Sequence, residues 1–181
     1  LDIYPPAEAS GPVVIGAGGA GRGPPHGRLV THAGVAPART LVAGQLAGEG
    51  AWLAVRCRAV LVLSRAGALS MKERGRGHII NVSSVAGFVT TSTYGAAKAW
   101  CTAFTESLAQ ELTGSGVSAT ALCPGFTHTE FHQRADIDIS KLPRMFWLEA
   151  DTLARDCLDD VRAGQVISVP RSQYELIAGI A

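Results

Sequence analysis

Short runs of apolar, β-branched residues alternate along the chain with longer stretches in which apolar residues recur every three or four positions. The short runs predict buried strands, at residues 29–32, 78–82, 117–122 and 165–169. The longer stretches predict helices, at residues 40–74, 93–112 and 151–164. Strands that alternate with long helices are typical of βαβ units. The pattern therefore predicts an α/β fold with a parallel sheet.

The first 28 residues are rich in glycine and proline and predict mostly irregular structure. Within them, the apolar run 12–15 is a candidate for one short strand. We therefore divide the chain into an irregular segment, residues 1–28, and an α/β domain, residues 29–181.

Residues 16–21 fit the pattern G-x-G-x-x-G, which is typical of loops that bind a dinucleotide phosphate. Such a loop needs a helix directly after it and an acidic residue about 20 positions further on. Pro24 and Pro25 block that helix, and residues 36–41 contain no acid. A glycine-rich connector is therefore the preferred interpretation, with a vestigial first strand and glycine loop as the alternative.

Composition and charge exclude several classes of protein. Hydrophobic residues make up 47% of the 181 positions, enough for one domain with its own core. The net charge of +1 excludes binding to nucleic acid or to an anionic membrane by bulk charge. The uncharged run 77–97 is too polar for a membrane span, and the first residues lack the pattern of a signal peptide.

The four cysteines show no spacing typical of a metal site and indicate reduced thiols, so we expect a cytoplasmic protein. His128 and His132 lie four positions apart with Glu130 between them, which a metal site could use. No third ligand stands nearby in the sequence, and we therefore predict no metal site.

Tyr94 and Lys98 are the strongest candidates for chemistry. Their spacing places both side chains on one face of the first turns of a predicted helix. A lysine beside a tyrosine favours the phenolate and lowers the pKa of the phenol, which makes it a usable general acid or base. Ser84 follows a predicted strand and could hold a substrate oxygen against Tyr94. The spacing alone is common, however, and an isolated pair of this kind usually lies on a solvated surface.

Three motifs in order make the pattern specific: 81–87 reads N-V-S-S-V-A-G, 94–98 reads Y-G-A-A-K and 124–129 reads P-G-F-T-H-T. Together they resemble the short-chain dehydrogenase/reductase family, over about residues 29–170. The resemblance implies a Rossmann-like, doubly wound parallel sheet that is incomplete at its N-terminal side. It also implies an oxidoreductase that transfers hydride between NAD or NADP and a small carbonyl or alcohol substrate.

The resemblance assigns roles to individual residues. Tyr94 would donate a proton to the substrate carbonyl, Ser84 would orient that carbonyl, and Lys98 would bind the nicotinamide ribose and lower the pKa of Tyr94. The cofactor-binding residues are Tyr94 and Lys98 again, joined by Gly34, Pro124, Gly125 and Thr129. Residues 126–146 would form the variable substrate lid.

The sequence also departs from the family pattern. Arg56 stands at the helix position of the catalytic asparagine, and a guanidinium only donates hydrogen bonds. The interval from Ser84 to Tyr94 is ten residues, shorter than is usual, and we expect this to draw the two side chains apart. These departures favour an alternative function, in which the chain is a catalytically impaired fragment that acts only as a structural or dimerising module.

The helix predicted at 93–112 carries two stripes of small and apolar residues: Ala97, Cys101, Phe104 and Leu108 form one, and Ala96, Trp100, Ala103 and Ser107 form the other. One sheet face cannot cover both, and exposed apolar area of this size marks an interface. Members of the family that the chain resembles pair such helices, so we expect a homodimer or homotetramer. The alternative is that the uncovered surface leads to aggregation.

Overall fold

The computed structural model describes residues 14–16, 27–32, 46–89, 92–127 and 147–170. The described strands are β1 (Val14–Gly16), β2 (Arg28–His32), β3 (Gly77–Val82), β4 (Val117–Leu122) and β5 (Ile167–Ser168). The described α-helices are α1 (Leu46–Leu53), α2 (Ala59–Glu73), α3 (Thr93–Glu111) and α4 (Ala150–Arg162). A π-helical segment (Ala54–Arg58) joins α1 to α2, and a 3-10 turn (Val85–Phe88) follows β3.

The sheet has five strands in the order β1-β2-β3-β4-β5. Strands β2 to β5 are parallel, which confirms the predicted α/β fold and its parallel sheet. Strand β1 differs, because it pairs with β2 in the antiparallel direction, with Val14 opposite His32 and Gly16 opposite Val30. A first strand of a dinucleotide-binding unit runs parallel to its neighbours. The direction of β1 therefore does not fit the alternative of a vestigial first strand. The division of the chain after Arg28 stays a prediction.

Helices cover both faces of the sheet. On one face, Ile79 and Ala119 pack with Met71 of α2 and Leu108 of α3. On the other face, the packing residues are Ile80, Leu122, and Cys157 and Val161 of α4. Successive residues of a strand point to opposite faces, so Ile79 and Ile80 belong to different layers. The sheet is therefore doubly wound, as predicted.

The helix predicted as one continuous element over 40–74 is interrupted. Residues 40–45 lie outside the described residues, and the segment Ala54–Arg58 forms π-helical turns between α1 and α2. Single π turns within α-helices are rare and frequent at functional sites. Here the turn carries Arg56, which is buried although it is charged.

A network of polar side chains around Asn81 ties the layers together. Asn81 is fully buried in β3, and its Oδ1 accepts hydrogen bonds from the hydroxyls of Thr31 in β2 (2.7 Å) and Ser64 in α2 (3.1 Å). Its Nδ2 donates to Thr105 of α3 at 3.0 Å. Buried polar groups are costly unless they are paired. The amide of Asn81 therefore fixes the relative positions of two strands and two helices.

None of the described helices is both long enough and apolar enough to cross a membrane.

Replacement of Asn81 by alanine should destabilise the fold. The substitution leaves the hydroxyls of Thr31, Ser64 and Thr105 without their shared partner in a dry interior. We expect a loss of about 2 kcal/mol in the free energy of unfolding, measured by urea denaturation. Thr113→Ala, which changes an exposed residue after α3, is the control. An unchanged midpoint for Asn81→Ala would show that the network contributes no stability.

Candidate active site

The three motifs meet at the carboxyl edge of the sheet. Ser84 lies two residues after the end of β3, and Pro124 lies two residues after the end of the neighbouring strand β4. The amide of Val85 donates to the Pro124 carbonyl at 3.1 Å, and the Ser84 hydroxyl lies 3.5 Å from the same oxygen. The Ser84 Oγ also accepts from the amide of Ala86 at 3.1 Å and caps the 3-10 turn. Main-chain and side-chain hydrogen bonds thus hold Ser84 at this strand end.

Lys98 points from α3 back to the end of β3. Its Nζ donates to the Val82 carbonyl at 2.7 Å and lies 5.7 Å from the centroid of the Tyr94 ring. Only 5% of Lys98 is exposed. Burial lowers the pKa of Lys98 to about 8, with the charge of Arg56 as a further lowering cause and nearby thiols, Cys101 first, acting in the opposite direction. A lysine with this pKa changes its charge near physiological pH.

Tyr94 lies in the first turn of α3, and its pKa is raised rather than lowered as predicted from the sequence. Burial is the largest cause, because it disfavours the phenolate. Hydrogen bonding with the Ser84 side chain and the positive charge of Arg56 both act in the opposite direction. The guanidinium of Arg56 therefore takes the electrostatic role that the sequence assigned to Lys98.

The short interval between Ser84 and Tyr94 does not separate the two side chains, so that expectation is wrong. Two glycines allow the 3-10 turn to pack directly on α3. A Cβ on Gly87 would meet the backbone of Ala99 at 2.9 Å, and one on Gly95 would meet the Ala86 carbonyl at 2.7 Å. Because no side chain intervenes, ten residues suffice to bring Ser84 within hydrogen-bonding distance of Tyr94.

Arg56 belongs to the same site. Its Cζ lies 4.9 Å from the centroid of the Tyr94 ring and 4.6 Å from that of Trp52. The sequence motifs point to the position of Arg56 but not to Trp52. The spacing of four residues between the two, on one predicted helix, was the available signal.

His32 lies at the carboxyl end of β2, on the same edge of the sheet. Burial lowers the pKa of His32, and the positive charge of Lys98 lowers it further.

Some residues of the sequence-based site cannot be placed. Gly34, Thr129 and the histidines at 128 and 132 lie outside the described residues, whereas Pro124 and Gly125 are described. Phe126, the first residue of the predicted lid, lies close to Trp147 and Leu148, which follow the lid. The Leu148 amide donates to the Phe126 carbonyl at 2.8 Å, and the centroids of the Phe126 and Trp147 rings are 6.2 Å apart.

Among the described residues no group of three or more His, Cys, Asp or Glu side chains could hold a metal.

The family model described as short chain dehydrogenase matches residues 27–139, which is more than half of the chain. The chain belongs to the short-chain dehydrogenase family. The resemblance inferred from the three motifs is thereby confirmed, and this short-chain dehydrogenase is a member of an oxidoreductase family.

Relatives of known name match shorter segments. The acetoacetyl-CoA reductase of Paracoccus denitrificans is 35% identical over 94 residues, which is 47% of this chain and 39% of that protein. A diacetyl reductase ((S)-acetoin forming) of Staphylococcus epidermidis is 37% identical over 75 residues, which is 40% of this chain and 29% of that protein. These matches span well under half the length of the relatives.

Solved structures share the fold over most of the chain. A short-chain dehydrogenase from Sphingobium yanoikuyae in complex with NADPH has a TM-score of 0.74 and 28% identity, and covers 84% of this chain and 61% of that one. A short chain dehydrogenase from Burkholderia cenocepacia in complex with NADP has a TM-score of 0.70 and 22% identity, over 84% and 62% of the two chains. The first supports the family, and the second shows the fold alone.

The lowered pKa of Lys98 should appear in the pH dependence of stability. The folded chain loses this proton near pH 8, whereas the unfolded chain keeps it up to its ordinary pKa of about 10.5. Between these values the unfolded state binds more protons, so the contribution of Lys98 to stability rises with pH. We expect Lys98→Met to remove this rise, measured by urea denaturation across that range. Lys72→Met, at an exposed position of α2, is the matched control and should keep it.

The contribution of Lys98 is the difference between the pH profiles of the wild type and Lys98→Met. This difference is needed because buried thiols change the stability with pH in the opposite direction. Burial raises the pKa of Cys101 to about 11, so its contribution falls at alkaline pH in either protein. Parallel pH profiles for the wild type and Lys98→Met would contradict a shifted Lys98.

Proposed function

We propose that this short-chain dehydrogenase transfers hydride between a nicotinamide cofactor and a small carbonyl or alcohol substrate, with Tyr94 as the general acid or base. The observation that carries the proposal is the meeting of Ser84, Tyr94 and Lys98 at the carboxyl edge of β3 and β4, where ligands bind in open α/β sheets. Because the chain matches less than half the length of its named relatives, the activity of the whole protein is part of the proposal.

In the reducing direction, the carbonyl oxygen of the substrate gains negative charge as its carbon gains hydride. The Tyr94 hydroxyl gives a proton to that oxygen and becomes a phenolate, and the substrate leaves as an alcohol. Arg56, with its guanidinium over the ring, favours the phenolate, and Ser84 donates to or accepts from the same hydroxyl group. The oxidising direction reverses the proton transfer. The contact with Arg56 thus offsets part of the cost of a charged Tyr94 in a buried site.

The donors present at this edge fit the ribose end of a nicotinamide nucleotide. The ammonium of Lys98 carries three N–H groups, of which one binds the Val82 carbonyl, and the remaining donors suit ribose hydroxyls. Pro124 and Gly125 stand at the end of β4, and Thr129 would complete the contact with the carboxamide. When bound, the nicotinamide supplies or accepts the hydride. NAD and NADP both remain candidates, and the relative from Sphingobium yanoikuyae supports a cofactor of this class because it was solved with NADPH.

A second candidate function is that of a dimerising module. The stripe of Ala97, Cys101 and Leu108 faces the core, as its burial shows. The stripe formed by Ala96, Trp100, Ala103 and Ser107 faces outward instead, with three of its members exposed and Trp100 half-buried against Phe104 at 5.0 Å between ring centroids. Small outward residues allow close approach of a second helix, which favours a homodimer or homotetramer through α3.

The catalytic role of Tyr94 is tested by oxidation of NADH and NADPH over a panel of ketones, aldehydes and oxo acids. Loss of the proton donor in Tyr94→Phe should lower the rate by about 100-fold or more. Tyr174→Phe makes the same chemical change elsewhere in the chain and is the control. Equal rates for wild type and Tyr94→Phe would exclude this role. Absence of turnover in both, together with a stable dimer, would favour the module.

Association through α3 is tested by light scattering at tens of micromolar. Ala103→Arg places a long charged side chain in the outward stripe and should convert the dimer to a monomer without loss of helical circular dichroism. Ala154→Arg makes the same change at an exposed position of α4, on the other face of the sheet, and should leave the mass unchanged. A monomeric wild type, or a dimer indifferent to Ala103→Arg, contradicts the proposal.

A further inference from the structure

Arg56 carries one edge of its guanidinium group without a hydrogen-bond acceptor. Only 5% of the residue is exposed, and Nε and Nη2 are buried with no acceptor in the part of the chain that the structure describes. These two nitrogens are neighbours on the same edge of the planar group, so their N–H bonds point in parallel. A parallel pair of donors matches the two oxygens of one carboxylate or phosphate.

Aromatic contacts hold the guanidinium in place. The rings of Trp52 and Tyr94 lie 4.6 and 4.9 Å from its Cζ. A cation over the face of a ring is attracted by the π electrons and keeps its in-plane N–H groups available for other partners. The contacts therefore orient Arg56 without supplying an acceptor to Nε and Nη2.

The charge around this edge is positive. Lys98 is a second buried cation, close enough for the charge of Arg56 to contribute to its lowered pKa. Within the described residues the ion pair found joins Arg162 to Asp159, far along the chain, and no carboxylate pairs with Arg56. Glu49 is the acidic residue that acts on Arg56, and it does so without forming an ion pair. Buried N–H donors of a cation that lack acceptors favour binding of an anion.

We propose that Arg56 binds a carboxylate group of the substrate, so that the substrates are oxo acids and the corresponding hydroxy acids. This rests on the proposed function, because the Cζ of Arg56 lies 4.9 Å from the ring centroid of Tyr94, the residue proposed to protonate the substrate carbonyl. A phosphate offers the same pair of oxygens, and the experiment separates the two sources.

The experiment measures binding to the full chain by calorimetry in the absence of cofactor. The probes are 2-oxobutanoate, its neutral methyl ester and inorganic phosphate. The wild type should bind the acid at least about tenfold more tightly than the ester. Arg56→Met should lose that preference, and Arg56→Lys, which keeps the charge but not the paired donors, should recover only a small part of it. Arg58→Met, at an exposed position of the same π-helical segment, should behave as the wild type.

Thermal unfolding provides a second readout that does not depend on calorimetry. The acid should raise the midpoint of the wild type and of Arg58→Met but not that of Arg56→Met. Without ligand, Arg56→Met should itself be more stable than the wild type, because an unpaired buried charge is replaced by an apolar side chain. If Arg56→Met does not fold, Arg56→Lys carries the comparison.

Equal binding of acid and ester by the wild type would overturn the proposal, and so would an acid affinity that Arg56→Met leaves intact. Phosphate that binds through Arg56 more tightly than the oxo acid would also overturn it, because the anion would then be a phosphate. The test uses no cofactor and no turnover, so its failure is distinct from failure of hydride transfer. If the wild type binds the acid selectively but turns over at the same rate as Tyr94→Phe, the proposed function is contradicted and the binding of a carboxylate by Arg56 is not.

Discussion

The amide of Asn81 is the interaction on which the rest of the site depends. It joins β2, α2 and α3 to the penultimate residue of β3 through three hydroxyl groups in the buried interior. The residues proposed to carry the chemistry follow this anchor along the chain: Ser84 lies just after β3, and Tyr94 and Lys98 lie in the first turns of α3. Thr105, which accepts from Asn81, also donates to the Cys101 carbonyl at 2.7 Å and so continues the network along α3. A polar network of this kind allows one arrangement of the layers because every alternative leaves a buried group unpaired.

Burial explains most of the electrostatics at the carboxyl edge. The same low dielectric raises the pKa of Tyr94 and lowers the pKa of Lys98, so each group is driven toward its neutral form. Burial lowers the pKa of Arg56 as well, but a guanidinium stays protonated. It remains the fixed positive charge against which the other two groups titrate. The proposed chemistry therefore involves the π-helical segment that carries Arg56 as well as α3.

The sequence alone predicted the elements well where periodicity and composition agree. The strand predicted at 117–122 has those bounds, and the helix predicted at 93–112 ends one residue earlier. Periodicity could not predict the π-helical turns at Arg56, nor the contact of Arg56 with the Tyr94 ring, which is made only in the folded chain. It could not predict the pKa direction of Tyr94 either, because desolvation depends on what covers the ring. The number of residues between Ser84 and Tyr94 does not predict the distance between their side chains, because the absence of side chains at Gly87 and Gly95 decides it.

Strand β1 has a consequence for how the chain meets other chains. A sheet edge exposes a row of unpaired amide and carbonyl groups, which makes it a template for strands from elsewhere and a starting point for fibrils. By pairing Val14–Gly16 antiparallel against β2, the chain occupies that row itself over three residues. At the other edge, β5 has only two residues, too few to align a long foreign strand. Among the described residues both margins of the sheet are thus formed by short strands, which offer a foreign strand few hydrogen-bonding groups with which to extend the sheet.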